Sequence, residues 1–180
     1  MEIVPIFGKN LFAFKYTGEE NDEFTKLFEL WQDPEYLEEF FETHKSDLQN
    51  DFWGNISVEN AIIETFNYAQ AFELQLIDLS KQSDQEQLHG LEEIFTPLHN
   101  SHFQIFTLGK SKAKSTWLRI YALRIDTNVY LITGGTIKLT QKMQDRQHTL
   151  TELNKIESCR NFLLEQGIVD LDGVIEEIES

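Results

Sequence analysis

The chain has 180 residues, of which 41% are hydrophobic and 12% aromatic, a composition that argues against disorder and allows one compact domain. No apolar run reaches the roughly 18 residues expected of a membrane-spanning helix, and the N-terminus lacks the pattern of a signal peptide. We therefore expect a soluble, cytoplasmic protein without a membrane partner. The single cysteine, Cys159, excludes an internal disulfide and is interpreted as a core or boundary residue.

The formal net charge of −16 argues against a surface that binds nucleic acid throughout, because acidic side chains repel phosphate. The charge is unevenly distributed, however. Residues 1–109 carry 5 basic and 21 acidic side chains, residues 110–160 carry 10 and 4, and residues 161–180 carry 0 and 6. Two thirds of the lysines and arginines thus lie in under a third of the chain, which indicates an electropositive site on an acidic body. The alternative is that surface charge varies along the sequence without any functional reason.

The first half of the chain predicts a β-hairpin followed by helices, from apolar β-prone runs and then from helical apolar spacing. The predicted elements are a hairpin over 2–16 with its turn at 8–10, a helix over 22–31, a helix that begins with Asp33 as N-cap and Pro34 as first residue, a helix from Ser57 to about Ser80, and a short helix within 88–98. Phe52 and Trp53, like the other aromatic residues of this region, are assigned to the core.

After residue 101 the apolar period changes to two, which is typical of strands, and short connections make neighbouring strands antiparallel. Three or four strands are predicted, over 102–109, 116–126, 128–133 and 136–140, joined by a lysine-bearing loop at 110–114, a turn at 126–128 and a turn at Gly134 and Gly135. A capping box of Thr149 and Glu152 predicts a helix that ends at Gly167, and a last helix begins near Asp172.

This order of elements predicts an α+β fold. Residues 1–87 would form a hairpin with a helical extension, and residues 88–180 an antiparallel meander packed by helices, both within one compact unit. In the strand 116–126, alternation places Arg119 on one face with Trp117 and Tyr121. An arginine there must extend to solvent, pair with an acid or point into a concave site.

Residues 102–140, HFQIFTLGKSKAKSTWLRIYALRIDTNVYLITGGTIKLT, resemble the RelE/ParE/HigB toxin superfamily, including its phage-derived branch. That family has a meander with a basic loop after its first strand, an arginine early in the next strand before an apolar-Tyr pair, a tight acidic turn, an apolar strand and a basic patch. The corresponding parts here are FQIFTL, GKSKAK, WLRIY, RIDTN, VYLITGG and IKLT. The helical segment ending in LEEIFTPL is also similar, so the resemblance covers about residues 88–165 and implies a RelE-like core.

The resemblance implies the toxin of a bacterial toxin–antitoxin system that cleaves RNA, often ribosome-bound mRNA, without a metal or cofactor; some members instead inhibit DNA gyrase. Cleavage needs a base for the 2′-hydroxyl proton, cations for the phosphorane and an acid for the leaving oxygen. Arg119 matches the family's strand arginine, Lys138 matches its second basic position, and His148 is the candidate acid or base. The candidate RNA-binding residues are Lys110, Lys112, Lys114, Arg124, Lys142 and Arg146. The implied partner is an antitoxin with a helix-turn-helix, and a homodimer is allowed.

Other interpretations stay open. The scaffold could belong to a non-catalytic protein that binds a protein partner, or to an immunity-type protein whose positive strip docks an acidic patch. His99 and His102 are spaced like metal ligands, but no cysteine or carboxylate pair completes a site, so no metal is expected. The acidic segments 19–51 and 165–179 could also cover the basic face in the free protein.

Overall fold

The computed structural model describes residues 1–84, 90–98 and 107–180, and it confirms the predicted α+β class. The strands are β1 (Glu2–Phe7), β2 (Leu11–Lys15), β3 (Thr96–Pro97), β4 (Gly109–Ser115), β5 (Leu118–Asp126) and β6 (Val129–Ile137). The helices are α1 (Glu23–Leu30), α2 (Pro34–Thr43), α3 (Lys45–Leu48), α4 (Val58–Asp84), α5 (Gln147–Glu165) and α6 (Leu171–Glu179), with 3₁₀ turns at Leu91–Glu93 and Met143–Asp145.

The strands form one mixed sheet in the order β1-β2-β6-β5-β4-β3. Neighbouring strands are antiparallel except for β2 and β6, which run parallel, with Leu11 opposite Tyr130 and Ala13 opposite Ile132. The sequence did not indicate this parallel pair. It inserts the N-terminal hairpin beside the meander, so residues 1–87 and 88–180 contribute strands to the same sheet.

Helices cover both faces of the sheet, and each face has its own apolar core. On one face α1, α2 and α4 bury a cluster that includes Phe28, Trp31 and Phe72. On the other face α5 and α6 bury a cluster that includes Tyr121 and Cys159, so the single cysteine lies in the core. Because both faces are packed against helices, the sheet is held rigidly, and side chains at the ends of its strands have defined positions.

Several helix boundaries follow the local signals in the sequence. The Asp33 carboxylate accepts hydrogen bonds from the N–H groups of Glu35 and Tyr36, and Pro34 is the first residue of α2, as predicted. Gly167 has a φ of +73°, a left-handed conformation suited to glycine, directly after α5. The helix from Ser57 extends a turn beyond the predicted end, to Asp84.

Two predicted connections of the meander are wrong. The lysine-bearing loop at 110–114 is the strand β4, paired along its length with β5. The predicted turn at Gly134 and Gly135 lies inside the continuous strand β6. Glycine is required at position 135, because a Cβ there would lie 2.5 Å from the Arg119 backbone carbonyl oxygen. A Cβ on Gly134 would meet the end of the Glu152 side chain, which would have to shift.

Two helix predictions are also corrected. The helix α5 begins at Gln147, before the expected capping box, and the Thr149 hydroxyl donates to the carbonyls of Met143 and Arg146 instead. The helix expected within 88–98 is replaced by the 3₁₀ turn Leu91–Glu93 and the short strand β3. Most of the strand predicted over 102–109, together with His99 and His102, lies outside the described residues.

Candidate functional site

An open cavity of about 830 Å³ lies where β4 turns into β5 and where β6 ends. The sheet contributes Lys114 and Arg119 to its wall, and the segment after β6 contributes Lys138. Residues at and after α3 form another part of the wall, including Phe52 and Trp53. The cavity therefore lies between the meander and the helical extension from the N-terminal half of the chain.

Strand pairing and the segment after β6 bring four cations close together, and three of them line the cavity. Lys114 pairs with Arg119 across β4 and β5, and Lys112 lies two residues earlier on the same face of β4. Burial, followed by the charges of Arg119 and Lys114, lowers the pKa of Lys112. Burial and the charges of Arg119 and Lys112 also lower the pKa of Lys138. We call Lys112, Lys114, Arg119 and Lys138 the basic cluster.

Backbone carbonyls orient two members of the basic cluster, Arg119 and Lys138, without neutralising them. Arg119 Nη1 donates to the carbonyl oxygens of Thr116 and Leu118 at 2.5 and 2.9 Å, and Lys138 Nζ donates to the Gln141 carbonyl at 2.6 Å. Within the described parts of the chain, no member of the cluster forms an ion pair with a carboxylate. Their positive charge is therefore available to an anion.

Two carboxylates also line the cavity, but both have partners elsewhere. Asp47 accepts hydrogen bonds from Nε and Nη2 of Arg146 at 2.7 and 2.5 Å, and these bonds lower the pKa of Asp47. Asp145 Oδ2 accepts the backbone N–H of Lys142 at 3.1 Å. Asp145 lines the same cavity as Lys138, and its negative charge opposes the lowering of the Lys138 pKa.

The structure brings some of the sequence-predicted residues to the cavity and places others away from it. Arg119, Lys138 and Lys114 line it, and Lys112 lies within electrostatic reach. The others lie as follows: Lys110 pairs with Glu157, Arg124 pairs with Glu92 at 2.7 Å, Arg146 pairs with Asp47 beside the cavity, and Lys142 is exposed after β6.

The histidine chosen as candidate acid or base lies near the cavity but does not line it. The His148 ring packs 4.6 Å from His44 and 5.2 Å from Phe40, centroid to centroid. Its Nε2 is 2.9 Å from the Ile137 carbonyl oxygen, so one ring nitrogen has a hydrogen-bond partner in the backbone. Burial, and then the proximity of His148, lowers the pKa of His44.

Two aromatic residues differ from their predicted positions. Trp117 precedes β5 and packs in the core under α4, where its Nε1 donates to Thr65 Oγ1 at 2.9 Å, so it does not share the face of Arg119. Phe52, expected in the core, is 77% exposed at the cavity. The turn-forming Gly54 and Asn55 beside it, both at positive φ, were the signal against a core position.

Among residues 1–84, 90–98 and 107–180, no group of three or more His, Cys, Asp or Glu side chains could hold a metal ion. The helices in these ranges include none that is long and apolar enough to cross a membrane. No family model, no curated protein and no solved structure matches the chain, so the cavity itself is the basis for a functional proposal.

Proposed function

We propose that the chain is a toxin-like protein of the RelE/HigB class, which binds RNA at the basic cluster and cleaves it without a metal ion. The observation that supports this best is the position of Lys114, Arg119 and Lys138 on one cavity, without carboxylate partners among the described residues. Like charges held this close repel one another. Binding a phosphate diester would relieve that repulsion.

The free edge of Arg119 suits a phosphate. Its Nη1 is occupied by backbone carbonyls, while Nε and Nη2 make no hydrogen bond to any described residue. These two nitrogens form a planar edge that can donate two parallel hydrogen bonds to phosphate oxygens. The carbonyl contacts hold the guanidinium in place beforehand, which reduces the entropy lost on binding.

The proposed reaction is an internal transfer at phosphorus. The 2′-oxygen bonds to the adjacent phosphorus and the bond to the 5′-oxygen breaks, which leaves a 2′,3′-cyclic phosphate and a 5′-hydroxyl. Arg119 and Lys114 would stabilise the charge of the phosphorane. Because His148 lies outside the cavity, we assign the base that takes the 2′-proton to Asp145, and the acid that protonates the 5′-oxygen to Lys138, whose pKa is lowered.

The proposal includes a protein antitoxin as partner. A partly exposed cluster of unneutralised cations also suits an acidic segment of another protein, which would block RNA by occupying the same positions. The rival function is a non-catalytic protein that uses this surface for such a partner alone. Among the residues that the structure describes, no histidine lines the cavity, which favours that rival, and a cleavage assay separates the two functions.

The test is incubation of the purified protein with mixed-sequence RNA in EDTA, with the cyclic phosphate ends counted by mass spectrometry. We expect cleavage by the parent and a loss of about 100-fold or more in Arg119→Ala and Lys138→Ala. Arg124→Ala is the matched control, since this arginine is on the same strand but pairs with Glu92. Binding without cleavage would favour the rival function, and equal cleavage by Arg119→Ala would contradict the proposal.

A further inference from the structure

Phe52 occupies an unusual position for a large apolar side chain. It is 77% exposed, the highest exposure of any large apolar side chain that the structure describes. Its ring contacts that of Trp53 at a right angle, with centroids 4.7 Å apart, and most of it remains in water. Such exposure is unfavourable in a free protein, because an apolar ring in water forgoes the free energy that its burial would contribute.

The segment around Phe52 is anchored on both sides. Asn50 Oδ1 accepts the backbone N–H of Trp53 at 3.1 Å, and the Asn50 carbonyl accepts the N–H of Asn55 at 3.0 Å. Trp53 Nε1 donates to the Leu139 carbonyl at 3.0 Å, which ties the turn to the segment after β6. The exposure of Phe52 is therefore a consequence of a defined turn.

The neighbours of Phe52 indicate what it could contact. Phe52 lines the same cavity as Arg119 and Lys138. Proteins that bind single-stranded nucleic acid combine cations that follow the phosphates with aromatic rings that stack on the bases. In a duplex the bases are already stacked on each other and offer no free face to such a ring.

We propose that Phe52 is a stacking platform for one unpaired base of an RNA whose phosphate is held by the basic cluster. This inference rests on the proposed function of the cluster and narrows its substrate class to single-stranded RNA. It also gives the helical extension a role, because residues after α3 then supply the base contact and the meander supplies the phosphate contact.

The test measures affinity for a fluorescent 2′-O-methyl RNA of about 10 nucleotides, which cannot be cleaved because it lacks the attacking hydroxyl. We expect Phe52→Ala to weaken binding of this single strand by about 10-fold, and Phe52→Trp to retain it. Affinity for inorganic polyphosphate, which has charge but no bases, should be unchanged by Phe52→Ala. Phe66→Ala is the matched control, since this exposed phenylalanine on α4 does not line the cavity.

The outcomes separate the two proposals. Unchanged RNA affinity in Phe52→Ala, with weaker binding in Arg119→Ala, would overturn the stacking role of Phe52 but not RNA binding by the basic cluster. The exposed ring would then be assigned to a contact with a protein partner. An equal loss of RNA and polyphosphate would also overturn it, because the effect would then be on the phosphate site. If the parent binds neither RNA nor polyphosphate, the proposed function fails together with this inference.

Discussion

Replacing Glu152 with glutamine should stabilise the protein at alkaline pH. Glu152 lies on α5 against Gly134, with 14% of its side chain exposed, and its Oε2 has no hydrogen-bond partner in the described structure. Burial raises the pKa of Glu152 to about 7; Lys155, 3.5 Å away, opposes this rise and the charge of Glu23 adds to it. Lys155 is already paired with Glu23 at 2.9 Å.

The sign and size of the effect follow from this pKa. Between pH 4.5 and about 7 the folded state of the parent binds the Glu152 proton more tightly than the unfolded state does, so stability falls as pH rises through this window. At 1.36 kcal/mol per pKa unit, the difference between 4.5 and about 7 corresponds to about 3 kcal/mol above pH 7. Glu152→Gln has no such proton and should avoid this loss.

The assay is urea unfolding of both proteins from pH 5 to pH 8, followed by tryptophan fluorescence, since Trp31 and Trp117 are buried. We expect the advantage of Glu152→Gln in free energy of unfolding to grow from under about 1 kcal/mol at pH 5 to about 3 kcal/mol at pH 8. Comparing the two proteins cancels the contribution of His44, whose lowered pKa has the opposite pH dependence.

Glu165→Gln, an exposed change on the same helix, is the control and should shift stability by less than about 0.5 kcal/mol. If Glu152→Gln is no more stable than the parent at pH 8, or if the difference does not grow with pH, the assignment of a neutral, buried Glu152 is refuted.

Three further changes test local features. Gly135→Ala should lower the free energy of unfolding by about 2 kcal/mol or more, seen as a lower urea midpoint, because its Cβ would meet the Arg119 carbonyl oxygen at 2.5 Å; an unchanged midpoint would contradict this. Asp33→Ala should cost about 1 kcal/mol in the same assay through loss of the α2 cap, and no cost would refute that role. Asp47→Asn should free the charge of Arg146 and tighten RNA binding, whereas weaker binding would indicate a structural role.

The sequence predicted the fold class and most helix boundaries, because capping residues and apolar spacing act locally. It did not reveal the parallel pairing of β2 with β6, since pairing across more than 100 residues leaves no local pattern. Gly134 and Gly135 were interpreted as a turn because glycine is common in turns. In the fold, both glycines make room for close neighbours. The backbone of β5 lies against Gly135, and the Glu152 side chain of α5 lies against Gly134.

For the candidate site, the sequence singled out Arg119 and Lys138 from strand alternation and a family resemblance, and the structure places both on one cavity. The sequence could not show which cations are neutralised by ion pairs, because the partners lie far apart along the chain. Lys110 and Glu157 are separated by 47 residues, and Arg146 and Asp47 by 99. Phe52 was missed because it was assigned to the core together with the aromatic residues of the predicted helices, although its own neighbours, Asp51, Gly54 and Asn55, are polar or turn-forming.

The salt dependence of RNA affinity tests the account most directly, because each phosphate held by a lysine or arginine releases counterions. If the four cations of the basic cluster contact phosphates of single-stranded RNA, the plot of log affinity against log salt should have a slope of about −3. Arg119→Ala and Lys138→Ala should each make the slope shallower by about 0.7, while Arg124→Ala should leave it unchanged. A slope near zero in the parent, or the same slope in all four proteins, would contradict the assignment of this cavity as an RNA site.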